Sequence, residues 1–492
     1  MSIFLLCLFK KQSKNINRGK KLKERKGFAK VKLPARASLC YLAISLVGKA
    51  VGFVTTPIFT RLLSGDEYGK YTLYMTLIGG ISVICSAISS GSAVYKGLQD
   101  HGEEKEKYLR SVLLVNSAFS TLFCILLFTF SDYFGLNSFL FLPLALQVLC
   151  DGIVAIALTS AKFYYNYKLA ATLTLGASIL PPIISVLLLK TIMGGYKVRV
   201  YSLLFVSIIC AIYSLSRLLN GGAGVDRESL IYVARGAAPL LPHSFSTALS
   251  SQADKFIISN VLGAGALGKY SVVFSLGVAL QFIITSVGSA LNPWIMRKLD
   301  SGKGEKVRQL LAPMFLGFSA LSLCVIAGGP EALLILAPKE YLDAFPALLP
   351  LALSCPFFFL SSVVTVGLVH RGWGRYSVLL SVMSGVLCVI LNYTLIHAFG
   401  FFGAGLATLL CRVIEAFIGI FLLGKEKEES LFSVKSTAAS ALVISAVGGV
   451  IFLAKNLLWV RVFLLIIPAT ILVYCLTVAK ELVFEKDAKT SA

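Results

Sequence analysis

Charge is scarce along this chain, and acid especially so: only 14% of the 492 residues are charged, with 24 Asp and Glu against 46 Lys and Arg. Histidine is rarer still, with four copies scattered at positions 101, 243, 370 and 397. The eleven cysteines show no C-x-x-C spacing. These shortages exclude a zinc site or a redox dithiol as the centre of function, because both need ligands clustered in sequence or space. Cysteines such as Cys85, Cys124, Cys210, Cys388 and Cys475 sit in apolar stretches and read as small packing residues. Long polar segments are also missing, which leaves no room for a soluble catalytic domain.

What fills the chain instead is apolar. Hydrophobic residues make up 57% of the sequence and the mean hydropathy is +0.82, more than the interior of a water-soluble fold can hide. Runs of about 20 apolar residues, the length that crosses the hydrocarbon core as a helix, recur from residue 38 almost to the end. Fourteen can be placed, near 38–60, 70–95, 110–131, 138–160, 169–189, 200–219, 236–261, 270–295, 309–329, 344–369, 376–397, 402–424, 437–454 and 457–479. Stretches such as Val112 to Phe130 are apolar on every face, unlike the alternating strands of a barrel. The predicted fold is an all-α polytopic membrane protein.

The formal net charge of +22 would suggest nucleic acid in a soluble protein, but its placement points to a membrane. With the N-terminus in the cytoplasm, most of the lysines and arginines fall in cytoplasmic segments. The opposite loops hold only Arg61, Lys70, Lys190, Lys197, Arg199, Lys269, Lys339, Lys455 and Arg461. This is the positive-inside pattern of an even number of helices with both termini cytoplasmic. The arm 1–37 carries twelve cations, and anionic lipid headgroups are its expected partner, since each cation near such a leaflet contributes about 1 kcal/mol. Phe28 is the only aromatic among those charges, so nucleic acid is not the expected ligand.

Shifting the chain against itself by 199 positions aligns Phe59–Leu73 with Ile258–Val272 without a gap, and Gly69-Lys70-Tyr71 falls on Gly268-Lys269-Tyr270. Six spans separate the copies, so they enter the membrane with the same orientation, and the halves are parallel repeats about an axis along the membrane normal. The expected domains are the arm 1–37, an N-lobe 38–219, a cytoplasmic linker 220–235, a C-lobe 236–424, and residues 425–492 with two further helices and a tail.

The segment Gly48–Tyr71 resembles the first-helix signature of the oligosaccharide flippases (Wzx type, polysaccharide transporter family). Asp254-Lys255 with the following Gly268-Lys269-Tyr270 is similar to the seventh-helix counterpart, and Phe399–Thr408 to the start of the twelfth helix. The resemblance implies a member of the multidrug/oligosaccharidyl-lipid/polysaccharide (MOP) superfamily in the bacterial inner membrane, with two six-helix lobes and two extra helices. It also implies a cargo, polyprenyl-diphosphate-linked oligosaccharide flipped from the cytoplasmic to the outer leaflet, with a polysaccharide polymerase and glycosyltransferases as partners in the same biosynthesis.

Such a cargo calls for a polar, cationic cavity. A charge at a helix centre costs about 2.5 to 3.5 kcal/mol on insertion scales unless it has a partner or water. Lys49, near the middle of the first span, is the leading phosphate-attracting candidate. Lys255 is a second, with Asp254 positioning the phosphate or accepting a coupling cation. Adjacent residues project about 100° apart, so only one of the two faces a cavity squarely. Arg412 is a third cavity candidate, although Glu415, three residues on, can satisfy it. Asp151, without a sequence neighbour of opposite charge, and His243, between Pro239 and Pro242, are candidate proton or sodium sites alongside Asp254. Arg61, Lys70 and Lys269 read as anchors at the membrane surface.

These features point to a transporter that needs no cofactor beyond proton or sodium coupling. A drug or cation antiporter of the same superfamily would prefer acidic cavity residues. A membrane-embedded glycosyltransferase or ligase would display a long outer loop, and every outer loop here is short.

Overall fold

In the computed structural model the described residues are 35–89, 92–101, 104–129, 138–191, 194–219, 224–302, 304–424, 434–454 and 457–484. Most of the basic arm, the linker residues 220–223 and the last eight residues lie outside them. From Ile44 onward the chain packs as one compact unit.

Over its described residues every predicted span lands on helix, because backbone N–H and C=O groups in hydrocarbon have no partner except one another. The helices of the first half are α1 (Ala35–Leu62), α2 (Gly65–Ser89), α3 (Ser92–Asp100), α4 (Lys105–Thr129), α5 (Ser138–Phe163), α6 (Tyr167–Thr191) and α7 (Gly195–Leu218). Then come α8 (Arg227–Ala237), α9 (Leu241–Leu262), α10 (Ala264–Asp300), α11 (Gly304–Ala327), α12 (Gly329–Leu336), α13 (Leu348–His370), α14 (Gly374–Leu423), α15 (Val434–Leu453) and α16 (Leu458–Phe484). By length and composition, nine helices among the described residues can cross a membrane. One of these, α14, is 50 residues long and holds two of the expected spans. They are divided at Gly400, whose φ of 57° and ψ of −130° form a backbone state nearly restricted to glycine. The remaining expected runs fall on α1, α9, α15 and α16. The chain is a multi-pass membrane protein.

Two boundaries differ from the sequence reading. The linker expected over 220–235 is largely helix: Asp226 caps α8 by accepting a hydrogen bond from the Ser229 amide at 3.2 Å, and α8 packs on α4. The seventh span consequently starts later, at Leu241. Between α1 and α2 a reciprocal capping box forms, in which the Ser64 amide donates to Glu67 Oε2 at 3.4 Å and the Glu67 amide to Ser64 Oγ at 3.3 Å.

Packing partners separate into two groups. α2, α4, α5, α6 and α7 pack among themselves, and so do α9, α10, α11, α13 and α14; α15 and α16 join the second group through α11 and α13. The groups meet where α2 lies against α9 and α10. Apolar side chains such as Leu122, Leu142, Phe205 and Ile212 remain exposed on the outer faces, as lipid contact requires.

Candidate functional site in the seam between the halves

Repeat mates touch in this seam, as residues related by a two-fold do only on its axis. Thr72 Oγ1 donates to Ser271 Oγ at 3.4 Å, and these residues are 199 positions apart, the sequence repeat itself. Gly69 and Gly268, also mates, let the backbones close: a Cβ on Gly69 would lie 1.7 Å from the Ala264 carbonyl oxygen, and one on Gly268 2.5 Å from that of Gly65. No other side chain fits either place. Deeper along α2, Gln252 of α9 rests against Gly79 and Gly80.

At the end where α1 gives way to α2, the seam is tied by polar groups. Thr60, buried, donates to the Leu336 carbonyl at 2.7 Å. Arg61 donates to the carbonyls of Leu334 and Ile335 at 3.3 and 3.1 Å. These three acceptors are the last carbonyls of α12, orphaned because a helix offers its final turn no donors. A side chain of the first half therefore caps a helix of the second, and Tyr68 packs edge-on against Tyr341 alongside, 6.5 Å between centroids. Arg61 is a tie between halves rather than the lipid anchor its position suggests. Lys70 pairs with Asp66 at 2.7 Å and Lys269 with Asp343 at 2.5 Å.

Among the candidate cargo residues, Lys49 lies in the seam. It is exposed, and its Nζ sits 4.3 Å from the ring centroid of Phe282 on α10, reaching from the first half to the second. Asp254 and Lys255 lie elsewhere. Both are buried, at 4% and 8% exposure, with Lys255 Nζ 3.4 Å from Asp254 Oδ1. The Tyr270 hydroxyl donates to Asp254 Oδ2 at 2.7 Å, Lys255 donates to the Ser251 carbonyl at 2.9 Å, and its ammonium lies 3.7 Å over Phe274. Neither faces an open space in this conformation. The sequence expected one of them to do so, but α10 supplies partners for both. Arg412 pairs with Glu415 at 2.9 Å, next to Phe358, and Glu415 also accepts from Ser384 at 3.2 Å.

Asp151 occupies a polar pocket in the first half. Gln147 Nε2 donates to it at 2.8 Å and Ser207 Oγ at 3.4 Å. Several nearby buried atoms have no hydrogen-bond partner, namely the Tyr74 hydroxyl, Gln147 Oε1 and both amide atoms of Asn116, which packs against Gly152. His243 is exposed near the start of α9. Among the described residues no cluster of His, Cys, Asp and Glu is placed to hold a metal ion.

Two arginines assigned to outer loops prove to have partners inside the bundle, Arg461 buried and Arg199 half-buried. Arg461 is 5% exposed and forms a bidentate pair with Glu331 at 2.8 and 2.6 Å, pinning α16 to α12. Arg199 is stacked between Phe59 and Tyr71, with guanidinium carbon to ring centroid distances of 3.6 and 3.7 Å. The one sequence signal for Arg199 is that it falls with Lys190 and Lys197 in a single outer loop, a local cluster of cations against the positive-inside pattern.

Comparison with known proteins agrees with this architecture. A family model described as polysaccharide biosynthesis protein matches residues 35–298. ExoT, the succinoglycan biosynthesis transport protein of Rhizobium meliloti (strain 1021), is 24% identical over 327 residues, covering 61% of this chain and 62% of that protein. The aligned region thus spans less than two thirds of that relative. An uncharacterized membrane protein of Methanocaldococcus jannaschii is 22% identical over 399 residues, 79% of this chain and 80% of its own length. Among solved structures, the lipid II flippase MurJ in an inward closed conformation superposes with a TM-score of 0.67 at 15% identity, over 91% of this chain and 99% of MurJ. An inward-facing multidrug resistance MATE transporter of the MOP superfamily gives 0.63 at 12% identity, over 78% and 95%. At such identities the likeness is one of fold. The family match covers more than half of the sequence, and the chain belongs to the polysaccharide biosynthesis protein family.

Proposed function

We propose that this protein flips a polyprenyl-diphosphate-linked oligosaccharide from the cytoplasmic to the outer leaflet of a bacterial inner membrane by alternating access, with both termini cytoplasmic. The observation that carries the reading is the seam. Two halves related by the repeat are tied at one end, and a lysine reaches between them deeper along α1. In the proposed orientation the tied end is the outer one, so the tie is an outer gate. Lys49 then waits in the seam for the diphosphate while the polyprenyl tail stays in lipid.

Lys49 is the cavity cation of this reading. The enclosed pair Asp254–Lys255 and the pair Arg412–Glu415 hold the second half together. Asp151 is the favoured proton or sodium site, because unpartnered oxygens of Gln147, Asn116 and Tyr74 lie around it. Asp254 is already occupied by Lys255 and Tyr270. The similarity to ExoT, a succinoglycan biosynthesis transport protein, and the fold shared with MurJ, a lipid II flippase, support the reading.

The test is to delete the gene and follow the leaflet of radiolabelled lipid-linked glycan. The reading expects the glycan to accumulate on the cytoplasmic side and to return outward when the intact gene is restored. An unchanged distribution would refute it.

A further inference from the structure

The seam accounts for Lys49 but not for Arg199, nor for the cavity beside it. Arg199 lies one turn into α7, at the tied end of the bundle. The guanidinium carbon lies 3.6 and 3.7 Å from the ring centroids of Phe59 and Tyr71, so the rings cover much of the group and leave its edges for hydrogen bonds. Nη1 is buried and has no partner, and no carboxylate pairs with the group among the described residues. A buried charged donor left unmade is costly, and such a group is retained where something else completes it.

Beside it is a cavity of about 170 Å³ between α1, α2, α6 and α7. At roughly 30 Å³ of liquid volume per water it has room for about six waters, enough for a phosphoryl group and part of one sugar ring with the remainder in the open mouth, and too little for an oligosaccharide. Its walls are rich in acceptors. The hydroxyls of Thr55, Ser178 and Ser185 each donate to a carbonyl of their own helix, at 2.8, 2.8 and 2.7 Å, which leaves their oxygen lone pairs free to accept. Pro181 and Pro182, also in the lining, have no N–H, so the carbonyls of Ala177 and Ser178 lose their helical donors. One cationic donor thus faces several acceptors. A bare anion would meet the carbonyl oxygens unfavourably, and a neutral sugar would leave the cation unused.

We propose that this cavity binds a sugar phosphate, with the phosphoryl oxygens on Arg199 and the sugar hydroxyls donating to the carbonyl and hydroxyl oxygens of α1 and α6. Its assignment to the phosphate-linked first sugar of the cargo rests on the proposed function. α1 serves both places, because Gly48, Gly52 and Thr55 share one helical face toward the cavity while Lys49, about 100° round, reaches the seam.

The experiment measures binding of glucose 1-phosphate, glucose and inorganic phosphate to the purified full chain in lipid nanodiscs by titration calorimetry. Glucose 1-phosphate binds, and the other two are at least about tenfold weaker, the scale of a lost charged hydrogen-bond set. Arg199→Gln weakens glucose 1-phosphate by about tenfold or more. Since that change also removes a stacked side chain, Gly52→Leu provides a second route: a Cβ at Gly52 meets nothing within 4 Å, so the larger side chain grows into the cavity. It should abolish binding while leaving the melting temperature at the wild-type value. Wild-type binding by both variants, or equal binding of glucose or of phosphate, would overturn the site.

A short-chain prenyl-diphosphoryl glucose should compete with glucose 1-phosphate, and failure to compete would overturn the assignment to the cargo. The site and the function fail separately. If Arg199→Gln loses the probe while gene deletion leaves the glycan distribution unchanged, the site stands and the flippase reading falls. If deletion traps the glycan while both variants bind normally, the reverse holds.

Discussion

On the proposed orientation, removing the polar tie where α1 gives way to α2 should release an outer gate by an amount that follows from its hydrogen bonds. The perturbation is the double substitution Thr60→Val with Arg61→Ala. Thr60 gives one buried hydrogen bond to Leu336, worth about 1 kcal/mol. Arg61 gives two exposed ones, to Leu334 and Ile335, at about 0.5 kcal/mol each because water competes for both partners. The tie between halves therefore contributes about 2 kcal/mol, which shifts a two-state opening by about 30-fold. The reporter is Thr72→Cys, placed where the mates Thr72 and Ser271 meet, in a chain whose eleven native cysteines have been replaced. When closing is fast, modification by an impermeant thiol reagent added outside follows the open population. The rate should rise about 30-fold in the double variant and about fivefold for either change alone. A rise of less than about threefold, in protein that still purifies as a folded monodisperse species, would refute the idea that these bonds hold the gate.

Other substitutions probe other parts. Gly69→Ala forces a Cβ into the Ala264 carbonyl; overpacking of this kind costs about 1 to 3 kcal/mol, and the variant should melt several degrees lower and, combined with the Thr72→Cys reporter, react faster with the thiol reagent. Lys255→Ala leaves Asp254 buried without its ion partner, a loss of about 3 kcal/mol or more, so folded protein in the membrane should fall. The double change Asp254→Asn with Lys255→Met should restore it, as measured by immunoblot and thermal melting. Hydrogen bonds from Arg461 hold the Glu331 carboxyl below the usual carboxylate range. A lowered folded-state value means the pair stabilises at neutral pH and that this contribution disappears as pH falls through it. Glu331→Gln should melt below wild type at pH 7, and the two should converge under acid conditions.

The spans were legible because lipid demands a long apolar run for each helix, a constraint that needs no tertiary knowledge. The repeat was legible because Gly69 and Gly268 are fixed by a backbone contact that only glycine allows. The charges were harder to read. Arg61, Arg199 and Arg461 all lie near helix ends, where sequence suggests water or headgroups. Their partners, the α12 carbonyls, two aromatic rings and Glu331, come from segments far away along the chain. Lys255 was misplaced for a related reason: its position in mid-span was evident, but Tyr270 and Phe274 enclose the pair from the following helix. Pro181 and Pro182 mark α6 as a helix that lacks two backbone bonds, but that these residues line a cavity with Arg199 depends on tertiary packing.

If the seam carries an anionic lipid-linked sugar across the bilayer with Lys49 as its attracting charge, transport should be visible with no other protein present. Proteoliposomes containing the purified chain and a fluorescent polyprenyl-diphosphate oligosaccharide report this by the fraction of label that dithionite can reach over time. Wild-type protein should equilibrate the label between leaflets, and Lys49→Ala, equally folded, should slow it by about tenfold or more, the scale of one lost charged contact. Equal rates for the two proteins, or no movement above empty liposomes with wild type, would contradict the role given to the seam.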